Sequence, residues 1–171
     1  MKGFMAAVLA VPVLALAGAP GHAAEWTLES LQDKATYQTV AVLHQESAAT
    51  ISDEYGMKEV HPRLEFRCVP NGDGAIKVRI DWRRFISSFN TEVQFAADDK
   101  SAITVKLGVD RSNKITSTSS ADDDAAILDY LAGHTALELT VTPYSEVPVS
   151  VQYDLGGLDA QLAKLRATCG G

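Results

Sequence analysis

The chain has 171 residues, 46% of them hydrophobic, with 15 Lys and Arg against 22 Asp and Glu and a formal net charge of −7. That acidity argues against a nucleic-acid partner, whose phosphates it would repel, and it favours solubility over contact with anionic lipid. The length holds one domain with a real core and too little chain for two.

The first residues read as an export signal. Met1 and Lys2 give a positive start, Phe4 to Leu16 is apolar, and Gly18 to Ala24 is small and turn-prone apart from His22. The apolar stretch is short for a membrane span, which needs about 20 residues, and suits a signal peptidase. Cleavage after Ala23 places Gly21 at the minus-three position, so a signal peptide over 1–23 and a single globular domain over 24–171 are expected. No cysteine stands near that point to take a lipid, and no membrane anchor is expected. Losing Lys2 makes the mature chain one unit more acidic.

Alternation of apolar and polar residues predicts a strand over Thr36 to Gln45, through Tyr37, Val40, Val42 and His44. Glu46 to Val60 reads as a long polar loop. The next strand, Arg63 to Val69, sets Leu64, Phe66 and Cys68 on one face and Arg63, Glu65 and Arg67 on the other. Pro70 to Gly74 can reverse the chain tightly, so Ala75 to Trp82 is expected to return antiparallel, with Ile76, Val78, Ile80 and Trp82 opposite Lys77, Arg79 and Asp81. One greasy and one charged face imply a sheet covered on one side only.

Further strands are predicted at Glu92–Ala96, Ala102–Leu107, Asn113–Thr118, Ala136–Thr142 and Val147–Leu155. Ser120 can cap a first helix whose opening turn carries Asp122, Asp123 and Asp124, carboxylates that suit the positive end of the helix dipole. Ile127, Leu128 and Leu131 are its apolar positions and Gly133 its stop. A second helix follows Gly156 and Gly157, with Leu158, Leu162, Leu165 and Cys169 at helical spacing to face the sheet. The expected fold is therefore α+β: a sheet-dominated, antiparallel single domain with two helices, the C-terminal one packed on the sheet.

Cys68 and Cys169 are the only cysteines. In an oxidising compartment a lone pair this far apart is expected to form one disulfide, tying the C-terminus to the sheet. The competing readings, a metal site or a reactive thiol, want neighbouring ligands or an activating basic environment.

Signs of chemistry are sparse. There is no G-x-S-x-G elbow, and His44, His61 and His134 stand at no metal-binding spacing. The pairs Asp53 with Glu54 and Asp98 with Asp99, and the run Asp122 to Asp124, are acids of the kind that hold calcium, but Asn71 to Gly74 lacks the spaced acidic ligands and closing glutamate of a calcium loop, and the aspartate triplet is better explained by helix capping. No catalytic residue, cofactor or metal is expected. One cluster stands apart: Trp82, Arg83, Arg84 and Phe85 set two cations between aromatics and make a candidate interaction surface. The plainer reading, which is preferred, sends Trp82 and Phe85 into the core and leaves the arginines on the surface.

Several segments together carry a resemblance. They are Pro62-Arg63-Leu64-Glu65-Phe66-Arg67-Cys68, Ile80-Asp81-Trp82, and the tail from Thr142-Pro143-Tyr144 through Tyr153-Asp154-Leu155-Gly156-Gly157-Leu158 to Leu165-Arg166-Ala167-Thr168-Cys169, with Trp26 and Ser30 near the start. This set resembles the VasI/TagO family, exported accessories of type VI secretion in Gram-negative bacteria. After Val93 and Phe95, where that family tends to place an arginine, this chain has Ala96. The resemblance implies a periplasmic, disulfide-bearing accessory or adaptor that binds an envelope or secretion-apparatus protein and is not an enzyme. The alternative is a binding module of another class, an inhibitor of a cell-wall hydrolase of the lysozyme type or a carbohydrate binder, which an acidic surface would suit.

Overall fold

The computed structural model describes residues 25–34 and 36–170. The expected signal peptide lies outside the described residues. The elements, in chain order, are β1 (Thr27–Gln32), β2 (Thr39–Glu46), β3 (Ile51–Ser52), β4 (Glu59–Val60), β5 (Arg63–Cys68), β6 (Lys77–Asp81), β7 (Thr91–Ala97), β8 (Ile103–Val109), β9 (Ile115–Ser117), α1 (Ala121–Leu131), β10 (Ala136–Val141), β11 (Val149–Asp154) and α2 (Leu158–Cys169). Nine strands make one sheet in the spatial order β1-β2-β5-β6-β9-β8-β7-β10-β11, every neighbouring pair antiparallel, while β3 and β4 form a small hairpin. This is the α+β, sheet-dominated architecture expected, and α2 packs on β2 and β5.

Strand register follows from the alternation. Leu64 and Phe66 of β5 lie opposite Ile80 and Val78 of β6 and Gln45 and Leu43 of β2, and all are buried. Val93, Phe95, Leu137, Leu139, Val151 and Tyr153 supply the far half of the same core. A slip of one residue in β5 would turn Glu65 and Arg67 inward. Each large apolar side chain so expelled would forfeit about 1.5–3 kcal/mol. The sheet curls until its two ends approach: the Trp26 indole N–H donates to the Asp154 carbonyl at 3.0 Å, and Gln45 of β2 reaches the same residue at the free edge of β11.

Both helices start and stop where local chemistry allows. Ser120 caps α1, its hydroxyl accepting from the Asp123 N–H, and Gly133 beyond the helix takes φ 76, a conformation that costs glycine little. Asp124 does more than favour the helix dipole, since its carboxylate accepts from the Val78 N–H at 2.9 Å and from the Thr118 hydroxyl, fastening α1 to β6. Leu158, Leu162, Leu165 and Cys169 are the buried stripe of α2. Cys169 in its last turn is bonded to Cys68 at the end of β5, with the Cα atoms 6.0 Å apart.

The outer face of β5 and β6 is charged. Glu65 sits there nearly buried, with Arg79 at 2.8 Å, Arg63 at 3.4 Å and Arg67 at 3.6 Å around its carboxylate. Glu29 of β1 accepts from Arg63 and lies 3.0 Å from the His44 ring. Burial first, and the Arg63 charge second, lower the His44 pKa below 6.5 against the pull of Glu29.

Three local readings need correction. Glu46 to Val60 is not an unstructured loop, because Ile51–Ser52 and Glu59–Val60 pair across a turn that the Asp53 carboxylate closes on the Tyr55 and Met57 N–H groups. β2 begins later than Thr36: Tyr37 has φ 58 and is exposed in the turn where the Asp33 N–H donates to the Gln38 carbonyl. That turn joins β2 to β1, a strand the alternation does not signal. Five of its six residues are exposed, so it shows no apolar and polar contrast to read.

Candidate functional site

The segment 82–86 leaves β6 and runs beneath one end of the molecule. Asp81 accepts from the Arg83 N–H at 2.9 Å, and Arg83 takes φ 55. The Trp82 and Ile86 N–H groups donate to the Lys114 and Asn113 carbonyls of the turn between β8 and β9, at 3.0 and 2.8 Å. The Trp82 ring is fully buried, its indole N–H donating to the Thr116 hydroxyl at 3.0 Å.

Arg84 departs from both expectations for this cluster, which placed it at the surface. It is 4% exposed, donates to the Ser52 carbonyl at 2.8 Å and pairs with the Glu146 carboxylate. A guanidinium tolerates such a position because its planar fork can serve two acceptors at once. Phe85 is half-buried and its N–H donates to Glu54 at 3.2 Å, while Arg83 pairs with Glu46 nearer the surface. Trp82 and Arg84 therefore cannot themselves be an exposed binding patch. They hold together the loops around them.

Four connections meet on this segment. The β3–β4 turn is held by Arg84 and by Glu54, whose carboxylate also takes Lys114 Nζ at 2.7 Å. That lysine holds the Glu54 carboxyl below its usual pKa, and Glu54 in turn raises that of Lys114. The β10–β11 connection is held by the Tyr144 N–H on the Ile86 carbonyl at 2.8 Å and by Glu146 on Arg84. The β8–β9 turn and the stretch from Ile86 toward β7 complete the group.

On these connections stand Tyr55, Met57, Phe89, Tyr144 and Val147, each more than two-thirds exposed. They are five of the nine large apolar side chains that the described residues leave exposed. Scattered exposed apolar residues need no explanation, but this many on loops fastened to one segment do. Tyr, Phe and Met are side chains that protein interfaces favour, and a pre-ordered base lowers the entropy lost on docking. Alternation could not have found them, since they lie in connections. The sequence signal nearest to them was the Trp82–Phe85 cluster.

Of the acidic groups singled out in the sequence, Asp53 and Glu54 belong to this loop end, while the histidines and Asp98 fall elsewhere and apart. His61 Nδ1 meets the Ser47 carbonyl at 2.8 Å, His134 meets Asp98 at 3.0 Å, and His44 meets Glu29. Asp98 also accepts from the Thr135 and Ala136 N–H groups, at 2.9 and 2.8 Å, holding the start of β10. Among the described residues no group of three or more His, Cys, Asp and Glu is placed to hold a metal ion, and no helix is long and apolar enough to cross a membrane.

No family model matches the chain, and no curated protein matches it significantly. Among solved structures it is similar to the crystal structure of invasion associated protein B from Bartonella henselae, with a TM-score of 0.52 and 16% identity over 85% of this chain and 94% of that one. At that identity the likeness is one of fold.

Proposed function

We propose that this chain is an exported, periplasmic accessory or adaptor that acts by binding another protein of the envelope, and that the loop end is where it does so. The observation carrying this reading is the set Tyr55, Met57, Phe89, Tyr144 and Val147, exposed on connections that Arg84 and its neighbours fasten together. The partner surface that fits is apolar at its centre and basic around it, since a chain of net charge −7 steers a basic partner toward itself. A link to a type VI secretion apparatus rests on the VasI/TagO resemblance, and export on the leader-like first residues together with the disulfide.

The test compares capture from periplasmic extract by the mature protein and by a Phe89→Ser, Tyr144→Ser double variant, whose changes lie on the surface. The wild type is expected to retain one envelope protein that the variant loses at least tenfold. Equal capture by both removes the loop end from the proposal. Secretion of type VI substrates that is unaltered when the gene is deleted removes the secretion role.

A further inference from the structure

A second feature lies at the opposite end of the β5–β6 hairpin from the loop cluster. A groove of about 390 Å³ opens on the outer face beside the β5–β6 turn, its lining including Arg67, Lys77, Arg79, Asp33, Asp73, Val40 and Val69. Arg67 and Lys77 are direct cross-strand partners, and Arg79 is the next outward residue along β6. Like charges placed opposite each other on adjacent strands repel and weaken the pairing. This chain has acids in surplus, 22 against 15 bases, so nothing in its composition forces two cations to face each other.

Two carboxylates, Asp33 and Asp73, line the groove against its three cations, and the Asp73 carboxylate accepts from the Ala75 N–H at 3.0 Å. Glu65 is shared among Arg63, Arg67 and Arg79. Asp33 meets Arg67 at 3.3 Å. Lys77 is exposed and, among the described residues, enters no ion pair. The buried Nε of Arg67 has no hydrogen-bond acceptor, and burial, then the charge of Arg79, lower the Arg67 pKa below its usual value. Val40 and Val69 give the same groove an apolar wall.

We infer that this groove binds an oxyanion, the carboxylate or phosphate group of a ligand whose apolar part rests on Val40 and Val69, with Arg67, Lys77 and Arg79 as the cations that hold it. Arginine forks match the geometry of either group, and the lysine adds a mobile point charge at the rim. The mutual repulsion of Arg67 and Lys77 is relieved when the anion arrives. The site does not depend on the loop-end reading, because neither shares a residue with the other.

The test is an NMR titration of the isotope-labelled mature protein with inorganic phosphate and, separately, with acetate, against sodium chloride at matched ionic strength. Saturable shifts confined to amides of β2, β5 and β6 near Lys77 are expected for phosphate, acetate or both, and whichever saturates names the group. Lys77→Glu is expected to weaken binding at least tenfold while raising the melting temperature, since it turns a repulsive cross-strand pair into an attractive one. Lys77→Gln is expected to fall between on both readouts. Shifts that chloride reproduces, shifts that do not saturate, or a Lys77→Glu protein that binds as well as the wild type would each overturn the inference. So would a lower melting temperature for Lys77→Glu, because the repulsion would then not exist.

Discussion

The side-chain amide of Gln45 makes both hydrogen bonds of a strand neighbour to the backbone of Asp154, accepting from its N–H at 3.0 Å and donating to its carbonyl at 2.9 Å across 109 residues of sequence. Gln45 is 1% exposed and points inward from β2, beside the Trp26 indole on the same carbonyl. One side chain thus bridges the two ends of the curled sheet where no backbone ladder joins them. It also caps the edge of β11, which otherwise presents unpaired backbone groups.

Replacing that amide by a side chain of similar volume isolates its hydrogen bonds. Gln45→Met is expected to lower stability by about 1–3 kcal/mol, because the Asp154 N–H loses its acceptor and its carbonyl keeps only the Trp26 indole. Urea unfolding reads the loss. Hydrogen exchange at the Asp154 amide is expected to speed up while amides of β5 and β6 stay protected. An unchanged Asp154 amide would mean that the bridge does not close the sheet.

The Cys68–Cys169 bond closes a loop with a sequence separation of 101. Cys169→Ser, or reduction of the wild type, is expected to cost about 2–4 kcal/mol, chiefly by freeing the unfolded chain. Local loosening should concentrate in α2, whose Leu158, Leu162 and Leu165 remain its packing on the sheet. A melting temperature indifferent to reductant would show that the helix holds without its tether.

Arg84 gives a prediction specific to the loop end. Arg84→Met keeps its length and removes its bonds to Ser52 and Glu146, at an expected cost of about 1–3 kcal/mol. Backbone protection should fall in 52–58 and 142–148 together, and not in α2. Arg84→Lys should recover only part of it, since an ammonium does not reproduce the fork. Independent behaviour of the two loops would contradict their shared anchor.

Acid stability is expected to depend on Asp98. The Thr135 N–H, followed by His134, the Ala136 N–H and the Thr135 hydroxyl, brings its pKa down from 3.8 to about 2. Between those values the unfolded chain binds the proton and the folded one does not, so the contribution is complete above about pH 4 and is lost as pH falls toward 2. Urea midpoints measured from pH 6 to pH 2 should decline less steeply below pH 4 in Asp98→Asn than in the wild type. Parallel curves would exclude this carboxylate as a source of the acid sensitivity.

Sequence by itself was enough to locate β5 and β6, the turn between them, the Ser120 cap, the Gly133 stop and the stripe of α2, because each depends on neighbours within a few residues. Two cysteines and no others also left a single intramolecular pairing to make. Tertiary structure alone decided that Arg84 is buried: its acceptors Ser52 and Glu146 stand 32 and 62 residues away, and without them a charged side chain reads as surface. It likewise decided that β1 exists, that Gln45 meets Asp154, and that exposed side chains from separate connections share one end. A period of two or of 3.6 records which face of an element is wet, whereas long-range polar pairing and the meeting of loops depend on where the curled sheet brings distant segments, which no local periodicity encodes.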